Sequence, residues 1–227
     1  MDNRNFTMTI IHGSTNIIKQ PVYGAGNVAN DYGRGFYCTE NMELAKEWAC
    51  SKNVDGFANF YELDTSGLSV LNLKEYSILN WLAVLTRYRG YWQKNSIAEE
   101  AKDYLQQHFY VDVDDYDVII GNRADDSYFS FAQDFIMGAI SVNQLERAMK
   151  LGKLGEQIVL KSKKAFSQIN FTGYEVAYAE EFFLKKNVRD IEARKQYRLD
   201  KPGSSHIDEL FIVDIMRKGM TSYESGI

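Results

Sequence analysis

A short apolar stretch, Met8-Thr9-Ile10-Ile11, runs directly into His12-Gly13-Ser14. The next apolar word, Phe36-Tyr37-Cys38, comes only after an interval holding Pro21, Gly24, Gly26, Asn27, Asn30, Gly33 and Gly35. Residues of those types break helices and strands alike. The two words therefore read as short strands joined by a loop, and a regular βαβ unit is excluded there. Within the loop, Gly24-Ala25-Gly26-Asn27-Val28-Ala29 has the spacing of a dinucleotide-binding turn. That turn needs a buried strand before it and a helix after it. Pro21 on one side and Asn30, Asp31, Gly33 and Gly35 on the other forbid both, so the segment is a glycine-rich surface loop, still able to line a pocket.

The spacing of apolar residues organises the rest. Thr39 or Asn41 caps a helix carrying Met42, Ala45, Trp48 and Ala49 at intervals of three and four. Phe57 to Leu63 and Leu68 to Leu73 read as strands. Ile78, Trp81, Leu82, Leu85 and Tyr88 form one helical face, and Ile97, Ala101, Tyr104, Leu105 and Phe109 another. Asp117 to Gly121 reads as a buried strand. Asp125 or Asp126 then starts a helix with Phe129, Phe131, Phe135 and Ile136, and Ser141 caps the next. Glu156 to Lys161 and Tyr174 to Phe183 are strand candidates, and a last helix is predicted from His206 to Lys218. Short strands at both ends with helices between them indicate an α+β fold. Residues 1–183 read as the core domain. Residues 184–227, with Lys185, Lys186, Arg189, Arg194, Lys195, Arg198 and Lys201, read as a basic helical extension packed on it.

A net charge of −5 gives no general attraction for phosphate backbones, although the basic end could bind nucleic acid locally. With 2 cysteines, Cys38 and Cys50, there is neither a disulfide framework nor a metal cluster, which fits a reducing compartment. The N-terminus lacks the apolar core of a secretory signal, and nothing approaches the roughly 18 apolar residues of a membrane span. The expected location is the cytoplasm, with no membrane partner.

Several residues carry chemistry if they converge. A neutral His12 offers one donor and one acceptor, suited to a ribose hydroxyl; at an exposed strand end it would do nothing special. Gly13 permits close approach of a ligand to its backbone. Tyr37 and Trp48 could sandwich a flat ring or simply fill the core. Glu156 could stabilise positive charge at a sugar carbon. Strand alternation puts Gln157 on the opposite face, so only one of the two enters a given site; Glu175 is a third option. Arg123 could bind a diphosphate.

Together, His12-Gly13-Ser14, Gly33-Arg34-Gly35-Phe36-Tyr37 and Trp48, eleven residues beyond Tyr37, resemble the ADP-ribosyltransferase fold of the His–Tyr–Glu class, shared by diphtheria toxin and the poly(ADP-ribose) polymerases. The chain is most similar to an uncharacterised family of small bacterial proteins grouped with that fold. The likeness extends through Ala45 to Ala49, the Asp117 to Asp126 block and Gln157-Ile158, and runs from about Ile10 to Phe171. It implies a split antiparallel β-sheet around an NAD cleft, with a helical insertion after Leu73 and a helical C-terminal tail. His12 would bond the adenosine ribose, and Gly13, with Ser14 beside it, would grip the nicotinamide carboxamide. Tyr37 and Trp48 would stack on the nicotinamide, and Glu156 would be the catalytic glutamate. The small bacterial family keeps the neighbouring glutamine instead; with Gln157 inward the activity is altered or the site only binds. Ala45 stands where the polymerases have a serine that bonds the carboxamide.

The implied activity is transfer of a single ADP-ribose from NAD, a consumed substrate needing no metal, to an unknown protein or nucleic-acid acceptor. A toxin restrained by an antitoxin protein follows by the same resemblance. The alternatives are a non-catalytic NAD- or ADP-ribose-binding module and a nucleic-acid-binding protein acting through the basic tail.

Overall fold

The computed structural model describes residues 7–124, 126–153, 155–201 and 209–222. Its architecture is α+β, with two sheets. The first is antiparallel, ordered β1 (Thr7–Ser14), β3 (Gly56–Asp64) and β7 (Ile169–Ala177). β1 and β3 pair over their whole length, from Thr7 opposite Asp64 to Ser14 opposite Phe57. The second runs β2 (Phe36–Cys38), β6 (Glu156–Leu160), β5 (Val118–Asn122) and β4 (Val70–Asn72). Here β2–β6 and β6–β5 are antiparallel, but β4 lies parallel to β5. The expectation of a wholly antiparallel split sheet is corrected at that strand. β4 and β5 are joined through intervening helices, and a crossover of that length permits parallel pairing.

Both isoleucines of β1 are buried because both faces of the strand are covered. Ile10 packs in a cluster with Phe36, Tyr61, Leu63 and Leu160, whereas Ile11 meets Ala45 and Ala58 beneath α1 (Met42–Ala49). Asn41 starts α1, its side-chain oxygen accepting the Leu44 N–H at 3.1 Å. Of the two caps considered, Asn41 is the one used. α1 lies unusually close to β1 at Gly13. A Cβ added there would stand 2.0 Å from the Ala45 carbonyl oxygen and 2.9 Å from the Ala49 nitrogen.

The helical insertion comprises α2 (Ile78–Tyr88) and α3 (Ser96–His108), followed after β5 by α4 (Asp126–Ile136) and α5 (Val142–Ala148). Leu79, Leu82 and Leu85 of α2 join Leu105, Phe109, Phe131 and Phe135 in the largest core cluster. Each such side chain contributes about 2 kcal/mol by leaving water. Ser141 caps α5 in a capping box with Gln144, as the spacing indicates. α4 starts at Asp126; Asp125 lies outside the described residues.

The short α6 (Lys163–Ser167) precedes β7. β7 ends at Ala177 and α7 (Ala179–Asp200) follows, so the strand expected from Tyr174 to Phe183 is half strand and half helix. The helix start is fixed by a distant residue: the Asp55 carboxylate accepts the Ala179 N–H at 2.7 Å. The expected domain boundary at 183/184 therefore falls inside a helix, one that packs against α1 and α4. The final helix, α8 (Ile212–Lys218), starts later than expected; residues 206–208 lie outside the described residues. Similarly, only Val70–Asn72 of the Leu68–Leu73 stretch is strand, with a 3₁₀ turn starting at Leu73. Among the described residues no helix is long and apolar enough to cross a membrane.

Gly13→Ala forces two backbones apart, and overpacking of this kind costs about 3 kcal/mol. We expect that loss of unfolding free energy in urea titration.

Candidate functional site

β1 and β2 meet through one pair of backbone bonds, Ile11 N–H to Thr39 O at 2.8 Å and Thr39 N–H to Ile11 O at 2.9 Å. Beyond it the sheets part, and His12 stands in the gap. Its Nδ1 lies 2.7 Å from the Tyr37 carbonyl oxygen, and its ring packs 4.3 Å from that of Phe36. A carbonyl only accepts, so Nδ1 carries a proton. Burial lowers the pKa of His12, with the bond to Tyr37 opposing, which keeps the ring neutral at pH 7. Nε2 is then a bare acceptor on a ring that lines a cavity of about 340 Å³.

Tyr37 lines the same cavity. Its hydroxyl donates to the Gly33 carbonyl at 2.7 Å and accepts the Tyr32 N–H at 3.0 Å. Gly33 permits this turn with φ of 73°, in the left-handed region. Burial raises the phenol's pKa further, so Tyr37 contributes a fixed aromatic wall and no acid or base. Trp48 of α1 forms another wall. The Arg123 guanidinium carbon lies 4.1 Å from the Trp48 ring centroid, a cation–π stack that covers one face of the indole. The Trp48 Nε1–H is buried without a hydrogen-bond partner.

β6 settles which of its first two residues points inward. Gln157 is buried and lines the cavity. Glu156 points the other way and pairs with Lys74. The expected placement of Glu156 as the catalytic carboxylate is therefore corrected: strand alternation turns it out of the cavity. Glu175 of β7 pairs with Lys46 of α1 and is equally outside. The Gln157 Nε2 donates to Asp31 Oδ2 at 3.1 Å, and its Oε1 has no partner. A buried polar atom without a partner costs about 1–3 kcal/mol, and such atoms call for a functional explanation.

Asp31, absent from the sequence-based candidates, is 4% exposed. It accepts Arg89 Nε–H at 2.7 Å, Ala124 N–H at 2.8 Å and the Gln157 amide. Burial raises its pKa, while Arg89, the Ala124 N–H and Arg123 pull it back. Three N–H donors on two oxygens favour the ionised form. Residues 117–124 build and support this wall. Asp117 ties Ser69 to Ser162, and a side chain at Gly121 would strike the Tyr32 hydroxyl at 2.3 Å. Ala124 holds Asp31 by its N–H and Arg89 by its carbonyl.

The last wall is α7, through Lys186, Asn187 and Asp190. Arg189 binds the buried Glu47 of α1, and Lys185 binds Glu43. Arg194, Lys195 and Lys201 also lie against carboxylates, so among the described residues five of the seven cations of the basic run are paired.

Of the expected site residues, His12, Gly13, Tyr37, Trp48, Arg123 and Gln157 line one cavity. Ser14 does not; its hydroxyl accepts the Asn16 N–H at 3.2 Å. Gly13 serves the approach of α1, since the space its side chain would fill is taken by helix backbone.

Residues 8–171 match the family described as Protein of unknown function (DUF3990). The chain belongs to this DUF3990 family. No curated protein and no solved structure matches it. The DUF3990 stretch holds β1, β2, α1, β5 and β6, and with them every cavity residue except those of α7.

Because His12 is depressed, the unfolded chain takes up a proton below pH 6.5 that the folded chain does not. Its contribution to stability is complete above that pH and is lost as pH falls through the window beneath it. NMR titration should place the His12 ring below 6.5, in the Nδ1–H tautomer.

Proposed function

We propose that this protein transfers ADP-ribose from NAD to an acceptor nucleophile. One observation carries the reading: His12, Tyr37, Trp48 and Gln157, far apart in sequence, line a single cavity whose aromatic and amide residues keep unpartnered buried polar atoms. Those atoms, Trp48 Nε1–H and Gln157 Oε1, suit a ligand that offers both an acceptor and a donor. Arg89, Arg123 and Lys186 add positive charge suited to a diphosphate.

In this reading the His12 Nε2 lone pair receives a ribose hydroxyl, and its Nδ1–H bond to the Tyr37 carbonyl sets that tautomer. The Tyr37 ring, held by its hydroxyl bonds, and the Trp48 ring exclude water from the nicotinamide end. Arg123 leaves the Trp48 face to meet the diphosphate, so it serves as a movable cover as well as an anion ligand.

A second reading has its own support. β6 presents an amide inward where the transferases that the sequence resembles use a carboxylate, which favours a module that binds NAD or ADP-ribose without cutting it. Mass spectrometry of the protein with NAD separates the two, because free nicotinamide forms only if the glycosidic bond breaks. We expect nicotinamide release. Trp48→Ala should weaken NAD binding by about tenfold, equivalent to about 1.4 kcal/mol of lost stacking. Glu156→Gln, outside the cavity, should leave release within about twofold of the natural chain. Loss of release in Glu156→Gln with unchanged Trp48→Ala binding would refute this assignment.

A further inference from the structure

We propose that Asp31 supplies the carboxylate of the transfer reaction, from the loop before β2, in place of a carboxylate on β6. The inference rests on the reading of the cavity as an NAD site. Among the described residues the cavity is lined by two carboxylates, Asp31 and Asp190. Asp190 sits on α7 with about a third of its side chain exposed, bound to Arg194. Asp31 is almost wholly buried, and its donors come from three elements: Arg89 at the end of α2, Ala124 after β5 and Gln157 on β6. A charge fixed that way, in a water-poor floor, needs no reorganisation when positive charge develops beside it.

The pairing with Gln157 carries the argument further. Asp31 takes the amide N–H₂ and so obliges Oε1 to face elsewhere, which explains the unpartnered acceptor at this position. The two side chains together present what a single glutamate would: a negative charge and a hydroxyl acceptor. Gln157 would receive the ribose hydroxyl, and Asp31 would face C1′ of the same ribose. The C1′–N bond then breaks with its electron pair leaving on the nicotinamide nitrogen. The acceptor's oxygen or nitrogen bonds to C1′, and its proton passes to Asp31 and on to water.

The charged and titratable groups around Asp31 are Arg89, Arg123 and the Tyr32 and Tyr37 phenols, with His12, Lys186 and Asp190 on the cavity walls. Burial outweighs the nearby cations and raises its pKa above that of an ordinary aspartate. Release of nicotinamide should therefore fall as pH drops, along a limb of one proton distinct from that of His12.

The test uses the full chain, with NAD binding followed by tryptophan fluorescence, folding by thermal melting and nicotinamide by chromatography. Asp31→Asn is expected to melt as a folded protein, to bind NAD within about threefold of the natural chain, and to release nicotinamide at least about 100-fold more slowly, with no acid limb beyond that of His12. Release within about threefold of the natural chain overturns the role of Asp31 and leaves the NAD site standing. A natural chain that binds NAD and never releases nicotinamide also overturns it, in favour of the binding module; one that does not bind NAD overturns both readings. If Asp31→Asn does not fold, the natural chain's pH profile decides, read beside the NMR titration of His12: a one-proton acid limb with a midpoint distinct from that of His12 supports the proposal, and a rate that follows only the His12 titration, or stays flat wherever the protein is folded, overturns it.

Discussion

The two hydrogen bonds between Ile11 and Thr39 join the sheets at β1 and β2. One residue further along β1, the ladder position is taken by the His12 ring, which reaches the Tyr37 carbonyl in place of a backbone N–H. That substitution opens the gap and fills it at once. It also fixes the ring's tautomer, because the group it meets can only accept. Gly13 follows directly, and its bare Cα lets α1 settle against β1 with Trp48 at the cavity wall. The position of the indole is thus a consequence of a missing side chain on the neighbouring strand.

The opposite wall is organised by charge. Asp31 draws the end of α2, the turn after β5 and the start of β6 toward one point. A buried ion pair of this kind is a poor source of net stability, because both ions give up their hydration. Removing one partner is far more costly, since the other is left charged and buried. The network therefore works mainly as a specification of geometry: it sets where Gln157, Ala124 and Arg89 stand relative to His12. Tyr32 supports the same wall, its phenol donating to the Asn122 carbonyl, as does the Trp81 indole at 3.1 Å.

Much of this was legible in the sequence where the signal was local. Apolar spacing located α2 and α3, Asn41 and Ser141 announced their helices, and the order His12, Tyr37, Trp48 carried the site. The failures share a physical cause. β7 and α7 abut with no break in composition, and the cap on Ala179 comes from Asp55, far away in sequence. The parallel placement of β4 depends on the route of the chain through α2 and α3, which no single strand encodes. Alternation showed that Glu156 and Gln157 face opposite ways but not which way is inward; that was set by β6 lying between β2 and β5. Asp31 lay in a loop whose turn residues hid it, and only the partners brought by folding distinguish it from an ordinary turn aspartate.

α7 shows how a helix can complete a site without an apolar stripe of its own. It is anchored by ring and methyl contacts near its ends: Ala179 and Phe182 pack with Ala49 and Cys50, and the Tyr197 ring stacks 4.0 Å from that of Phe131. Between those anchors lie Lys186, Asn187 and Asp190, the residues that face the cavity. There the helix is held to α1 by Arg189 on Glu47 and Lys185 on Glu43. The Lys185 pair is exposed and contributes little. Glu47 is buried, so the Arg189 contact is the one that matters: without it a carboxylate would be left inside the protein with no counter-charge. The wall contributed from outside the DUF3990 stretch is therefore tied to the family's own α1 by one desolvated ion pair, whose Glu47 directly precedes Trp48, the aromatic residue of α1 that lines the cavity.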